Sequence, residues 1–305
     1  MNRMPWQDLV AQNASEFGPL TIGIDPNRPD LPHAFGDDPQ WIARFVDFLL
    51  PLIEGRVGFV KFQAAYFEAC GLAGLTALSQ GIRQARSAGI GVILDAKRGD
   101  IDATSAAYAR AYLVPASAGG SGDFEVDCMT VNPLMGPDTL EPFVDAARQF
   151  GKGILVLCRT SNPGAAWLQD QMAGNHSVSD RLAELIYMIA QSANGGGGLS
   201  AIGAVVGATA AGEARRLRRQ LPNTIILAPG MGAQGGEVAT IHALKGTHAG
   251  DLLVPVSRGM TRISDRTIDL EEYRAILLDR MAHYKELLAW PGATKGRDAP
   301  NLAAN

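Results

Sequence analysis

Eight short apolar runs divide this chain, and none of them alternates with polar residues. They are Leu20–Asp25, Val57–Gln63, Gly91–Lys97, Val126–Asn132, Ile154–Thr160, Ile202–Ala208, Thr224–Gly230 and Leu252–Arg258. Continuous apolar runs of this length read as parallel strands covered on both faces. Amphipathic stretches lie between them, among them Trp41–Ile53, Leu72–Ser87, Ser179–Ser192 and Ala211–Gln220. Eight strands alternating with helices predict an α/β fold, a single (β/α)8 TIM barrel whose active site forms at the C-terminal ends of the strands. An open doubly wound sheet is the alternative, because periodicity does not report closure. The 305 residues are accounted for by one barrel domain over 1–290 and a polar C-terminal tail over 291–305.

Composition narrows the function classes. Hydrophobic residues make up 47% and charged residues 19%, enough apolar material for a large core. The net charge of −4 leaves no basic excess for a nucleic-acid backbone, while a small anion needs only a local cluster of donors. No run of 18 apolar residues is present, so no membrane partner is expected. The start, Met1-Asn-Arg-Met-Pro-Trp6, leads into a polar stretch without an apolar signal core. Cys70, Cys128 and Cys158 form no CxxC pair, and the last two lie inside apolar runs as buried thiols of a reducing compartment. The cytoplasm is the expected location. The five histidines, His33, His176, His242, His248 and His283, have no metal-binding spacing. No metal or other cofactor is expected.

Polar residues gather at or near the C-terminal ends of the runs: Asp25, Lys61, Asp95, Lys97, Asn132, Ser161 and Arg258. In a barrel these ends ring one face. Asp95-Ala-Lys97-Arg-Gly-Asp100 is the most informative of them. Strand alternation points Asp95 and Lys97 to the same face, and Asp100 follows in the loop that Gly99 opens. Two carboxylates then flank one ammonium, with Lys61 opposite Asp95 as a further partner. Buried charge is costly unless paired, and such clusters collect at functional sites, although a structural ion pair at a strand end is the plain alternative. Gly230-Met-Gly232-Ala-Gln234-Gly235 has the form GxGxxG but follows the seventh run rather than the first. It reads better as a phosphate grip, with Gln234 as a donor and Arg258 arriving from the next strand. A plain turn beside a surface arginine is its alternative. Thr160-Ser161-Asn162-Pro163-Gly164 is turn chemistry whose hydroxyl and amide groups suit either a cap or a polar ring edge. The glycine run after Asn194 precedes a strand and reads as a linker.

Taken together, Ile24-Asp25, Lys61-Phe62, Asp95-Ala-Lys97-Arg-Gly-Asp100-Ile101 with Thr104, Ser161-Asn-Pro-Gly164, Pro229-Gly-Met-Gly-Ala-Gln234-Gly-Gly236 and Ser257-Arg258 resemble the orotidine 5′-phosphate decarboxylases, most closely their longer bacterial branch. The resemblance implies decarboxylation of orotidine 5′-phosphate to uridine 5′-phosphate, the last step of pyrimidine nucleotide synthesis, without a cofactor. It implies that Lys61, Asp95, Lys97 and Asp100 form an alternating charged network, in which Lys97 protonates C6 as carbon dioxide leaves. It also implies that Asp25 holds a ribose hydroxyl, Ser161 contacts the pyrimidine, and Gln234 and Arg258 bind the 5′-phosphate. Asp100, Ile101 and Thr104 would reach the partner's site in a homodimer with shared active sites. Two other readings are open: a magnesium-dependent sugar-phosphate decarboxylase or aldolase of the same superfamily, and a catalytically silent nucleotide-phosphate binder. Lys61 stands where the magnesium enzymes carry an acidic ligand, and binding alone does not need paired buried charges.

Overall fold

All eight apolar runs fold as parallel strands, and they close into a barrel in chain order, so the open-sheet alternative falls away. The computed structural model describes residues 3–193, 198–207, 211–231 and 238–289. The strands are β1 (Leu20–Ile24), β2 (Phe59–Gln63), β3 (Gly91–Arg98), β4 (Cys128–Val131), β5 (Gly153–Arg159), β6 (Ser200–Val206), β7 (Thr224–Leu227) and β8 (Leu252–Val256). Several are shorter than their apolar runs. The expected β7 reached Gly230, but the ladder ends at Leu227, and Arg258 opens a short helix, Arg258–Thr261, rather than ending β8. Pro229-Gly230 at one end and Ser257 at the other already belong to the loops that carry the site. The glycine loop from Gly232, with Gln234, and the tail from 291 lie outside the described residues.

Helices Trp41–Ile53 and Ala211–Gln220 have the expected bounds, and Gly71–Ser87 and Val178–Ala190 lie within two residues of theirs. Helices Asp102–Tyr112, Glu141–Phe150 and Leu270–Leu287 complete much of the outer ring. Trp41–Ile53 shows why these segments are helical and where they face. Ile42, Phe45, Val46, Leu49 and Ile53 recur at helical spacing and are fully or almost fully buried against the barrel wall. Among the described residues, no helix is long and apolar enough to cross a membrane.

The N-terminal stretch read as polar is in fact a helix, Trp6–Phe17. It buries Trp6, Leu9 and Val10 against the inward side chains Phe59, Ile93, Cys128, Leu155, Ile225 and Leu253, which form one buried cluster. Trp6 meets Phe59 edge-on, with ring centroids 6.2 Å apart. Gly153 makes room for it, because a Cβ there would lie 2.1 Å from Trp6 Cδ1. The helix therefore plugs the N-terminal mouth of the barrel. Apolar inward residues fill the lower half, and the polar ones are left to the upper half.

Candidate active site

On β2, β3 and β4 the inward face turns polar two residues further along the strand. On β2, Phe59 is followed by Lys61 and Gln63; on β3, Ile93 by Asp95; on β4, Cys128 by Thr130. Asp95 pairs in register with Gln63, so its carboxylate stands one inward step above Lys61. Asp25 lies just past β1, whose Gly23 is in register with Lys61.

These positions produce an alternating chain of charges. Lys61 Nζ lies 3.4 Å from Asp25 Oδ1 and 3.2 Å from Asp95 Oδ2. Lys97 Nζ lies 2.6 Å from Asp95 Oδ1. Lys61 and Asp95 are buried, whereas the Lys97 side chain is 44% exposed and faces the open space above. Burial alone would raise the Asp95 carboxyl, but the Lys61 and Lys97 charges, with hydrogen bonds from Lys97 and Thr130, outweigh it and lower it to about 2. Burial pulls Lys61 down, but Asp25 and Asp95 more than reverse that and hold it above the ordinary lysine value. Asp95 is thus a fixed anion at neutral pH, and Lys61 is a fixed cation.

A cavity of about 390 Å³ opens over this chain. Asp25, Lys61, Gln63, Asp95 and Lys97 line one side, Thr160, Ser161 and Asn162 another, and Pro229, Gly230, Met231, Ser257 and Arg258 the far rim. Val205, Leu227 and Pro255 give it an apolar floor. Arg258 is exposed, and among the described residues no ion-pair partner occupies it, so its guanidinium is available to an anion. Gly207 brings the β5 loop close, since a Cβ there would lie 2.7 Å from the Ser161 amide nitrogen. That loop carries a small hairpin, Met172–Ala173 with His176–Ser177. It is tied to the barrel by Arg159, which donates from Nε and Nη2 to Asp170 at 2.8 and 3.0 Å, and by the Thr160 amide donating to Gln169 Oε1 at 2.7 Å.

The structure therefore brings together Asp25, Lys61, Asp95, Lys97, Ser161 and Arg258. It does not bring in Asp100, Ile101 or Thr104. Asp100 makes no ion pair with Lys97; its carboxylate accepts the Ile101 amide at 2.8 Å, and Ile101 is 56% exposed. Two ammonium groups alternating with two carboxylates replace the expected flanking of Lys97 by Asp95 and Asp100 within one chain. β3 ends at Arg98, and Asp100 lies in the short loop that leads to helix Asp102–Tyr112. Asn132 caps its own loop by accepting the Leu134 amide at 3.0 Å and does not line the cavity.

Two residues of the site were not anticipated. Gln63 accepts from Lys61 Nζ and donates to the Asp95 carbonyl, both at 3.1 Å. Its position two residues after Lys61 was the available signal, by strand period. Thr130 donates to Asp95 Oδ1 at 2.9 Å. Among the described residues, no group of three or more His, Cys, Asp or Glu side chains could hold a metal ion. A lysine ammonium already stands between Asp25 and Asp95.

Residues 19–273 match the orotidine 5′-phosphate decarboxylase / HUMPS family. A Deinococcus radiodurans orotidine 5′-phosphate decarboxylase is 43% identical over 235 residues, covering 76% of this chain and 79% of that protein. A Rhodopirellula baltica orotidine 5′-phosphate decarboxylase is 38% identical over 246 residues, covering 78% and 81%. The solved Leishmania donovani OMP decarboxylase superposes with a TM-score of 0.69 at 30% identity, over 93% of this chain and 99% of that one. By sequence and by fold, this chain belongs to the orotidine 5′-phosphate decarboxylase / HUMPS family.

Proposed function

We propose that this chain converts orotidine 5′-phosphate to uridine 5′-phosphate and carbon dioxide, the closing step of pyrimidine nucleotide synthesis, without a metal or organic cofactor. The observation that carries the reading is the Asp25–Lys61–Asp95–Lys97 chain along one side of a cavity whose far rim presents Arg258. Arg258, with Gln234, grips the 5′-phosphate; Asp25 holds a ribose hydroxyl; and Ser161 meets the pyrimidine. This pose sets the substrate carboxylate beside Asp95 and C6 beside Lys97 Nζ. The C6–carboxyl bond breaks, carbon dioxide departs, and the electron pair stays on C6. Lys97 stabilises that pair and then transfers a proton to it, and solvent reprotonates the neutral amine. One charge pair at ~4 Å and an effective dielectric near 20 is worth about 4 kcal/mol, or about three powers of ten in rate. The rest of the acceleration comes from the grip on phosphate and ribose, which aligns the reacting ring.

The family also contains sugar-phosphate enzymes. Lys61, rather than an acid, at the second-strand position favours the decarboxylase reading, because a cation there repels magnesium. The test is the decay of orotate absorbance with and without EDTA. The expected result is turnover unchanged by chelation. Activity lost to EDTA and restored by magnesium, or no turnover at all, would overturn the reading.

We further infer a two-fold dimer that shares its sites. Asp100, Ile101 and Thr104 stand outside their own cavity, on the loop and helix after β3. In an isologous pair, each Asp100 would enter the partner's site. Co-expressing the inactive Lys97→Ala and Asp100→Ala chains then yields mixed dimers with one intact site. Roughly a quarter of all sites regain activity under random pairing. Mixed dimers of confirmed composition that are no more active than either mutant would exclude sharing.

A further inference from the structure

The β3–β4 ladder breaks opposite one threonine. Leu94 pairs with Met129 and Arg98 with Val131, so three residues of β3, Asp95, Ala96 and Lys97, face the single residue Thr130. A bulge of this kind leaves backbone groups without ladder partners and re-aims the side chains it carries. Here it holds Lys97 at φ 48°, in the left-handed region that residues with a Cβ seldom occupy. Thr130 is fully buried and supplies what the ladder lost. Its hydroxyl accepts from the Lys97 amide at 2.8 Å and donates to Asp95 Oδ1 at 2.9 Å. The same Oδ1 accepts from Lys97 Nζ at 2.6 Å. One hydroxyl therefore fixes both the backbone of Lys97 and the carboxylate oxygen on which its ammonium rests. Its single proton is committed to the carboxylate.

We propose that Thr130 is a positioning residue for the decarboxylation: it holds the strained Lys97 backbone and Asp95 Oδ1 in one ring of hydrogen bonds, so that Nζ is presented to C6. The inference rests on the decarboxylase reading. It concerns the chemical step rather than substrate grip, because Arg258, Ser161 and Asp25 are carried by other strands and loops.

The test compares Thr130→Val, which keeps the shape and removes the hydroxyl, with Thr130→Ser, which keeps the hydroxyl and removes the methyl. Thr21→Val on β1 repeats the same exchange at a buried barrel threonine outside the cavity lining and serves as the control. In Thr130→Val, kcat is expected to fall by about a hundredfold, the scale of a 1 Å misplacement, with KM within about twofold of wild type. Thr130→Ser should recover kcat to within about threefold even where its thermal midpoint is the lower of the two, because it keeps the hydrogen-bond geometry but loses packing. A purely structural threonine would instead make activity follow the midpoint. Should Thr130→Val fail to fold, Thr130→Ala carries the same comparison. Crystal structures of wild type and variant give a readout that needs no turnover: without the hydroxyl, Lys97 is expected to leave the left-handed region or Nζ to leave Asp95 Oδ1. An inactive wild type would sink the decarboxylase reading by itself. A Thr130→Val structure with Lys97 unmoved, or a variant keeping kcat within threefold of wild type, would sink the role of Thr130.

Discussion

Two buried charge networks lie toward opposite ends of the barrel, and the upper one lines the cavity of about 390 Å³. At the N-terminal end, Asp127 accepts from Arg3 Nε and Nη2 at 2.9 and 2.6 Å, from Arg86 Nε at 3.2 Å and from the Val92 amide at 2.9 Å. Glu125 pairs with Arg86 at 2.8 Å and with Lys152 at 2.6 Å. Arg3 further donates to the carbonyls of Arg86 and Ile90 at 2.5 and 2.6 Å. Charge is consumed internally there, and the network fastens the N-terminal segment under the barrel. At the C-terminal end, Lys97 keeps one carboxylate partner and an exposed ammonium, and Arg258 keeps none among the described residues. Both networks perturb their carboxylates downward, Asp95 above and Glu125 below. A shifted acid therefore does not single out the site; unspent donors aimed at a cavity do.

Substitutions should pull the two ends apart. Lys97→Ala removes the proton donor and leaves Asp95 held by Lys61 and Thr130, so turnover should fall by at least about a thousandfold while the thermal midpoint stays close to wild type. Asp127→Ala should do the reverse. It strips Arg3 of its carboxylate partner and leaves Arg86 with Glu125 alone, and breaking a buried pair costs about 3–5 kcal/mol of stability, while kcat should stay within about threefold of wild type. Urea unfolding and initial rates on the same preparations decide. A Lys97→Ala enzyme that still works at a tenth of the normal rate would make Lys97 structural. A stable but slow Asp127→Ala enzyme would show that the two ends are coupled.

The same contrast explains what the sequence could disclose. The eight strands were readable because a strand covered on both faces must be apolar at every position, as in Ile22, Ile24, Val92 and Leu94. Asp25, Lys61, Asp95 and Arg258 were readable because charge near a strand end breaks that rule. The plug helix was not, since Trp6, Leu9 and Val10 are its only large apolar anchors amid polar neighbours. Asp127 was hidden inside the apolar run Val126–Asn132, where one acid reads as part of a strand. The bulge at Thr130 was invisible because strict alternation assumes an unbroken ladder; alternation put Asp95 and Lys97 together, but the left-handed turn at Lys97 and the hydroxyl across the ladder join them.

The smallest expected effect sharpens the comparison through its two buried lysines. Lys61, between two carboxylates, is raised above the ordinary value near 10.4, so its stabilising contribution is complete below that value and is lost only at more alkaline pH. Lys152 is shifted the other way: burial and the neighbouring Arg86 charge lower it, and Glu125 offsets only part of this. In the window just below 10.4, the folded chain holds the Lys152 proton less fully than the unfolded chain does. The unfolded state then binds more protons, and this group makes stability rise with pH, by at most about 1.4 kcal/mol per pH unit. Lys61 begins to add a slope of the opposite sign only as pH nears 10.4, and that slope is common to wild type and the Lys152 variant. Unfolding free energies at pH 8, 9 and 10 for wild type and Lys152→Met isolate the effect, and the wild-type value minus the variant value should climb across the series. A difference that stays level or falls would mean that Glu125 holds Lys152 as firmly as Asp25 and Asp95 hold Lys61, and the electrostatic contrast between the two ends would be lost.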